Sequence, residues 1–244
     1  MPRFAICVAY DGGAYHGWQK QTLVPTVQGE IERVLSTLLR EPIEIYAAGR
    51  TDTGVHALGQ VAHFDTSHTI SDADRILLGS RALLPRDIVI TQINPVRDDF
   101  HARFDAKWRQ YQYRMRSDLT PFERGTMWVV HPWPDIEILN QCATVLIGQH
   151  DFTSFCKQDS ALESNICTVY QSKWTWETDT QGYYTIQANR FLHHMVRGLV
   201  GTMVRAARLN SSDYFRHVLE SKKRSEAVLT APAKALFLEV VGYQ

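Results

Sequence analysis

The sequence lacks the features that mark several large classes of protein. It has four cysteines in 244 residues and no C-x-x-C spacing, so neither a disulfide framework nor a cysteine-based metal site is expected. Its apolar runs are too short for a membrane span, and the one at the start is too short for a signal peptide. These absences predict a reduced, disulfide-free, cytoplasmic protein.

An excess of charge of either sign is also missing. Lys and Arg total 26, Asp and Glu total 26, and the formal net charge is zero, which excludes a basic coat wrapped around nucleic acid. Any nucleic-acid contact must therefore be a local patch. Residues 190–224 hold eight Lys or Arg and two acids, a local charge of +6. This segment is either a phosphate-binding face or an ordinary solvated helical surface.

The composition is that of a packed globular chain. With 44% hydrophobic and 21% charged residues, disorder, collagen and coiled coil are excluded, and the length allows one large or two small domains. In the first half, hydrophobic periodicity and turn residues predict the order β-α-β-β-α-β, the split βαβ arrangement of ferredoxin-like domains, with strands at 3–10, 43–47, 60–65 and 87–93. Thr26 is the expected N-cap of the first helix, whose one apolar face predicts core scaffold, and Ser71 with Asp74 resembles a capping box before the second.

The second half repeats this order more loosely. We expect strands at 108–116, 168–177, 183–189 and 235–242. We expect helices at 135–147, ended by Gly148, at 191–209 and at 212–220. The predicted class is α/β (α+β), with two ferredoxin-like halves, residues 1–105 and 106–244, building a mostly antiparallel sheet. Clefts at domain junctions are common ligand sites, so a central cleft is the expected binding site.

The densest group of chemically useful side chains lies in AAGRTDTGVHALGQV, residues 47–61. Glycines frame Arg50, Asp52 and His56 between two predicted strands, and Thr51 and Thr53 can fix the loop through hydrogen bonds to its backbone. An isolated R-x-D is usually a surface ion pair of little energetic value. The glycine framing favours a built site instead. His56 could be a general base or a metal ligand, but a single histidine without an i+4 or acidic partner is more often a structural, hydrogen-bonded group.

This motif resembles the nucleophile motif G-R-T-D-x-G-V-H-A of the tRNA pseudouridine synthase A family. The resemblance extends over nearly the whole chain, because further blocks resemble that family in family order. They are YDGGAYHGWQKQ at 10–21, TVQGEIERVL at 26–35, FHARFDAKWRQYQYRM at 100–115, DFTSFC at 151–156, FLHHMVRGLVG at 191–201 and APAKALFL at 231–238.

The resemblance implies an isomerase without cofactor or metal, which converts uridine to pseudouridine in the anticodon stem-loop of tRNA, at positions 38, 39 and 40. Asp52 is implied as the nucleophile, which attacks C1′ or C6 or assists a glycal route; the sequence leaves these routes open. Arg197 is implied as its cationic partner. Because Arg197 lies in a largely apolar helix, it must either meet an acid or extend to solvent.

Other positions match the family's substrate-binding residues. Arg50 matches the residue that enters the RNA stem when the base flips, although a plain phosphate contact is the simpler alternative. Arg109 and Tyr111 fall on one face of a strand. Tyr111 matches the family's tyrosine, which stacks on the target uracil and is also a candidate catalytic residue that takes the proton from the sugar or from C5. Leu236 matches an apolar residue packed on the base. Here the chain has Ala235 where the family commonly has glycine, so the backbone approach at this point differs.

The implied partners are tRNA and a second copy of the chain, since the family forms homodimers in which one tRNA contacts both subunits. The alternative function is a non-catalytic RNA-binding module of ferredoxin-like fold, which stacks bases on aromatic residues. That alternative accounts for Tyr111 and the basic segment. It does not account for a glycine-framed R-T-D loop.

Overall fold

The structure is a computed structural model that describes residues 1–68, 73–118, 120–157, 164–227 and 229–244. The chain forms two compact units, one of Met1–Lys107 with Phe237–Gln244 and the other of Trp108–Leu236. The C-terminal segment therefore belongs to the first unit, whereas the sequence division had placed all of 106–244 in the second half. Within the described ranges, no helix is both long and apolar enough to cross a membrane.

The described residues form ten strands and five helices. Strands β1 to β10 are Arg3–Tyr10, Tyr46–Ala47, His56–Asp65, Ile88–Val96, Trp108–Arg116, Trp128–Val129, Gly148–Asp151, Ile166–Thr178, Gln181–Ala188 and Leu236–Gly242. Helices α1 to α5 are Val27–Leu39, Ala73–Leu83, Ile136–Val145, Met195–Arg208 and Ser212–Ser221.

In the first unit, β1 is antiparallel to both β3 and β4, and β2 adds to the other edge of β3 over two residues. The returning strand β10 pairs with β3 in parallel, with Phe237 opposite His56. Alternate residues of β1 are buried, as a strand with one face on the core requires. Thr26 is the N-cap of helix α1, and its hydroxyl accepts the N–H of Gly29 at 3.3 Å, as predicted.

In the second unit, β9 lies between β5 and β8, and β7 pairs with β8, all antiparallel. The short β6 adds to β5 in parallel. Helix α3 packs on β8 and on α4, and α4 packs on α5. The expected mixed α/β class with mostly antiparallel pairing is confirmed, and so is the β-α-β-β-α-β order of the first half.

Several predicted elements differ from the observed ones. The helix expected over 191–209 begins only at Met195. The residue before it, His194, has a left-handed backbone with φ of 67°, so the helix does not extend toward residue 191. The strand expected over 43–47 is regular only at its last two residues. Residues 148–151 form β7, whereas Gly148 was expected only to end a helix. The predicted cap Ser71 lies outside the described residues.

The core of the first unit contains a buried histidine. His63 on β3 is 2% exposed, and its ring packs on Tyr46 and His101 with centroids 5.3 and 4.7 Å away. Its Nδ1 accepts the N–H of Ala102 at 3.2 Å. Burial, followed by the charges of His101 and Arg3, lowers the pKa of His63 to about 4, although nearby Asp65 opposes the shift.

This lowered pKa makes stability depend on pH. The unfolded chain takes up a proton at His63 near its ordinary pKa, while the folded chain does not until about pH 4. The stability of the folded chain therefore has its full value above about pH 6.5, where His63 is neutral in both states. As the pH falls toward 4, the free energy of unfolding decreases by up to about 3 kcal/mol. Urea unfolding at pH 7 and pH 5 should show a smaller pH dependence for His63→Gln than for wild type.

The control for losing a histidine is His16→Gln, at an exposed position. This variant should show the same pH dependence of unfolding as wild type. Equal pH dependence in wild type and His63→Gln would show that His63 does not couple folding to protons.

Candidate functional site

The R-T-D loop, residues 48–55, connects β2 to β3 in the first unit. Its beginning is fixed by two hydrogen bonds. The Ala48 N–H donates to the Val61 carbonyl at 2.8 Å, and Nε2 of the buried Gln60 donates to the Gly49 carbonyl at 2.8 Å. The loop therefore leaves the sheet in one defined direction.

Thr51, which precedes the candidate nucleophile, is held on both its side chain and its backbone. Its hydroxyl lies 2.8 Å from the Tyr10 hydroxyl in a buried hydrogen bond. Its carbonyl accepts the N–H of Trp18 at 3.1 Å. The sequence suggested that the Thr51 side chain bonds to the backbone of its own loop, whereas its hydroxyl bonds to the Tyr10 side chain outside the loop.

Asp52 itself begins a tight turn. The Val55 N–H donates to the Asp52 carbonyl at 3.1 Å, and Gly54 has a φ of 77°, a conformation that glycine adopts without strain. The Asp52 side chain is partly exposed, whereas Arg50, two residues earlier, is exposed. The turn thus presents a carboxylate and a guanidinium at the surface of a rigid loop.

A second loop packs directly against the R-T-D loop. This segment, residues 16–25, is called here the Trp18 loop. Gly17 has a φ of 85°, and a Cβ at this position would lie 2.7 Å from the Thr51 carbonyl oxygen. Only glycine permits this backbone approach without displacement. The Trp18 loop is therefore part of the support for Asp52.

His56 follows the loop and is 1% exposed. Its Nδ1 accepts the N–H of Gly12 at 3.1 Å, and its ring stacks on Phe237 at 4.6 Å. The same nitrogen lies 3.0 Å from Oδ1 of Asp11, a contact that is favourable only if the nitrogen carries a proton. We assign Nδ1 as the acceptor, because Gly12 is buried and Asp11 is exposed and already accepts the Gly13 N–H. His56 has the structural role expected from the sequence.

In the second unit, Tyr111 and Tyr113 alternate with polar residues along β5. Tyr111 is 9% exposed, and its ring makes an edge contact with Phe191 at 4.9 Å. Tyr113 is fully buried and donates its hydroxyl to the Pro232 carbonyl at 2.8 Å. Arg109, at the start of the strand, donates from Nη1 to the Asn189 carbonyl at 3.1 Å. Tyr113 is a core residue, while Tyr111 lies at the edge of the core.

Arg197 is the third residue of α4 and is partly exposed. Its Nε donates to the Ala231 carbonyl at 2.8 Å, and its own carbonyl accepts the Ala231 N–H at 3.0 Å. Burial raises the pKa of Tyr113 well above its usual range, and the charge of Arg197 opposes this rise. The structure thus brings Arg197, Tyr113 and the segment after Ala231 together within this unit.

Leu236 is 5% exposed and begins β10 directly after a 3₁₀ turn at Ala233–Ala235. Ala235 is fully buried and its backbone is not left-handed. The backbone therefore accommodates an alanine at a position where the family that the sequence resembles commonly has glycine. Leu236 is an apolar residue on a well-supported strand end.

The basic segment, residues 190–224, covers α4, α5 and the start of the turn that follows. Its exposed cations are Arg205, Arg208, Arg216, Lys222 and Lys223. Lys222 lies 3.3 Å from the carboxylate of Asp151, which fixes the end of α5 to the DFTSFC block. The segment combines exposed positive charge with a folded helical support.

Comparison with known proteins identifies the family. A sequence model described as tRNA pseudouridine synthase matches residues 6–105 and 142–244. The chain belongs to this family. The resemblance found in the sequence blocks is thereby confirmed.

Relatives within the tRNA pseudouridine synthase family match along more than nine tenths of their length. A protein from Porphyromonas gingivalis named tRNA pseudouridine synthase A is 42% identical over 247 residues, covering all of this chain and 98% of its own. One of the same name from Bacteroides fragilis is 41% identical over 244 residues, which cover 100% of this chain and 97% of the relative. Another from Shewanella amazonensis is 41% identical over 247 residues, with 99% and 93% covered.

Sequence reasoning found the R-T-D loop of this family member but not its supports. Trp18 and Gln60 bond to the loop backbone, yet neither position was singled out. Both lie in blocks that resemble the family, Trp18 in YDGGAYHGWQKQ and Gln60 at the end of the R-T-D motif. The signal that the sequence offered was the position of both residues inside these blocks, where neither had an assigned role. Their partners became visible only in the fold.

Proposed function

We propose that this protein isomerises uridine to pseudouridine in the anticodon stem-loop of tRNA, at positions 38, 39 and 40, with Asp52 as the nucleophile. The observation that carries the proposal is the R-T-D loop. It presents the Asp52 carboxylate on a backbone fixed through Thr51 and Gly49, in a chain of the tRNA pseudouridine synthase family. The relatives' name, tRNA pseudouridine synthase A, supports the same reaction.

The reaction needs no redox step and no added group. The N1–C1′ glycosidic bond breaks, the uracil turns, and a C5–C1′ bond forms; C5 loses a proton and N1 gains one. A carboxylate suits this chemistry because it can form a covalent adduct or stabilise positive charge on the sugar. A fixed loop holds the reacting oxygen in place and so lowers the entropic cost of the attack.

The other site residues receive the roles that the family resemblance implies. Arg197 is the cationic partner of the nucleophile, since a guanidinium stays charged and can bind a carboxylate bidentately. Arg50, exposed on the R-T-D loop, occupies the space left by the flipped base. Tyr111 stacks on the target uracil, Leu236 packs against it, and Arg109 supports the substrate strand.

The protein partner we propose is a second copy of the chain, and the basic segment, residues 190–224, contacts tRNA phosphates. A neutral chain needs such a local surface to bind RNA. Sedimentation equilibrium of the protein alone and with tRNA distinguishes the homodimer from a monomer.

The test of the function is incubation of the purified protein with unmodified tRNA, followed by nucleoside analysis. Pseudouridine should appear without any added cofactor. It should be absent when cytidine replaces uridine at positions 38 to 40. Tight binding with no pseudouridine would select the alternative, a non-catalytic RNA-binding module.

Replacing Tyr111 with phenylalanine separates stacking from proton transfer. The variant keeps the ring against Phe191 and loses only the hydroxyl. We expect tRNA binding within about threefold of wild type. If the hydroxyl moves a proton, the single-turnover rate should fall by about 10²-fold or more. The rate is measured with enzyme in excess over tRNA.

Tyr113→Phe is the matched control, because it removes a hydroxyl two residues along the same strand. It should lose the bond to the Pro232 carbonyl and about 1 kcal/mol of stability, with a rate near wild type. A wild-type rate in Tyr111→Phe would leave Tyr111 with stacking alone.

A further inference from the structure

A buried carboxylate that the reaction does not use lies in the first unit. Glu32 is on α1, and its side chain is 5% exposed. The helix was predicted as core scaffold, and most of its inward residues are apolar. A carboxylate at such a position is stable only if several donors satisfy it.

Glu32 has three such donors. Its Oε1 accepts the Ile45 N–H at 3.1 Å and Nε2 of Gln28 at 2.9 Å. Its Oε2 accepts Nζ of Lys20 at 2.8 Å. This hydrogen bond is the largest cause of the raised pKa of Lys20. Glu32 therefore joins its own helix to residue 45, just before β2, and to the Trp18 loop.

Gln28 extends this connection to the loop backbone. Its Oε1 accepts the N–H of Lys20 at 3.0 Å, while its Nε2 also donates to the Ile45 carbonyl at 3.1 Å. Its backbone N–H donates to the Trp18 carbonyl at 3.0 Å. Both the side chain and the backbone of Lys20 are thereby held by α1.

The same short segment reaches the R-T-D loop. Two residues before Lys20, the Trp18 N–H donates to the Thr51 carbonyl, and Thr51 is next to Asp52. Two hydrogen bonds, joined by the short stretch of backbone from Lys20 to Trp18, therefore connect Glu32 to the backbone beside Asp52.

We propose that Glu32 is a positioning residue, which fixes the Trp18 loop so that the Asp52 carboxylate is held in its reactive place. The inference rests on the proposed function, because it needs Asp52 to react. Errors of about 1 Å in placement can cost about 10²-fold in rate. The effect of losing Glu32 should therefore appear in the chemical step more than in tRNA affinity.

The test compares Glu32→Gln with wild type in single-turnover pseudouridine formation at saturating enzyme, with tRNA affinity measured in parallel. Gln places an amide N–H₂ where a carboxylate oxygen faced the Lys20 ammonium. We expect the rate to fall by about 10- to 100-fold and the affinity to change by less than about threefold. Assays are run well below the melting temperature of each variant.

The matched control is Glu30→Gln on the same helix. Glu30 pairs with Arg33 at 2.8 Å on the surface and has no bond to the Trp18 loop. It should leave the rate unchanged. A purely structural role for Glu32 predicts a lower melting temperature with a wild-type rate, and that result would overturn the inference.

Lys20→Met keeps the test valid if Glu32→Gln folds poorly, since the Lys20 side chain is 62% exposed. It should slow the reaction, and the double variant should be no slower than the slower single one, because both changes break one connection. Multiplied effects in the double variant would show independent roles and contradict the proposal. Failure of the proposed function itself is distinguishable, because wild type would then form no pseudouridine at all.

Discussion

Asp52→Asn is expected to abolish pseudouridine formation while leaving tRNA binding almost unchanged. The substitution removes the nucleophilic oxygen but keeps the size of the side chain and the turn closed by the Val55 N–H. Loss of a nucleophile typically costs about 10⁴-fold or more in the catalytic rate. Contacts with RNA shape and phosphates do not depend on that oxygen, so affinity should stay within about threefold.

The measurement is single-turnover nucleoside analysis together with a filter-binding or gel-shift titration on the same protein preparation. Asp179→Asn is a suitable control, since Asp179 is an exposed aspartate in the turn between β8 and β9. It should react at the wild-type rate. Substantial pseudouridine formed by Asp52→Asn, with the sample checked for contaminating synthase, would remove Asp52 from the mechanism.

The sequence predicted local structure well where the signal is itself local. Strands β1 and β5 have the bounds that alternation indicated, and α1 has the expected N-cap, Thr26. Alternating burial and N-capping each depend on neighbours within a few residues.

Pairings between distant residues could not be obtained in this way. Strand β10 was predicted as an element, but its parallel pairing with β3 depends on residues about 180 positions apart. The late start of α4 depends on the left-handed backbone at His194, and only a small fraction of histidines adopt that conformation, so the sequence does not predict it. Both features became visible only in the folded chain.

The candidate site shows the same division. The R-T-D loop was identified because its glycines, cation and carboxylate are adjacent in sequence. Its supports come from residues at separations of 11 to 41 positions, such as Gln60 with Gly49 and Tyr10 with Thr51. Glu32 was hidden in an amphipathic helix whose pattern indicated only core. A buried carboxylate becomes informative when its donors are known, and two of the three donors to Glu32, from Ile45 and Lys20, lie outside its helix.

Replacing Arg197 should separate its charge from its packing. Both Arg197→Met and Arg197→Lys place a carbon where Nε stood, so both lose the bond to the Ala231 carbonyl. Only lysine keeps a positive charge. If Arg197 is the cationic partner of the nucleophile, methionine should lower the single-turnover rate by about 10²- to 10³-fold. Lysine should lower it by about tenfold, because it loses the planar fork but not the charge.

The shared loss of the Ala231 bond makes this comparison decisive. Any fall in melting temperature that comes from the bond should appear equally in both variants, since it belongs to the contact between α4 and the segment after Ala231. The difference in rate between them then reports the charge alone. Equal rates for methionine and lysine, measured at saturating enzyme on folded protein, would show that the charge of Arg197 has no part in the reaction. If both rates are also below wild type, Arg197 acts by holding Ala231 in place.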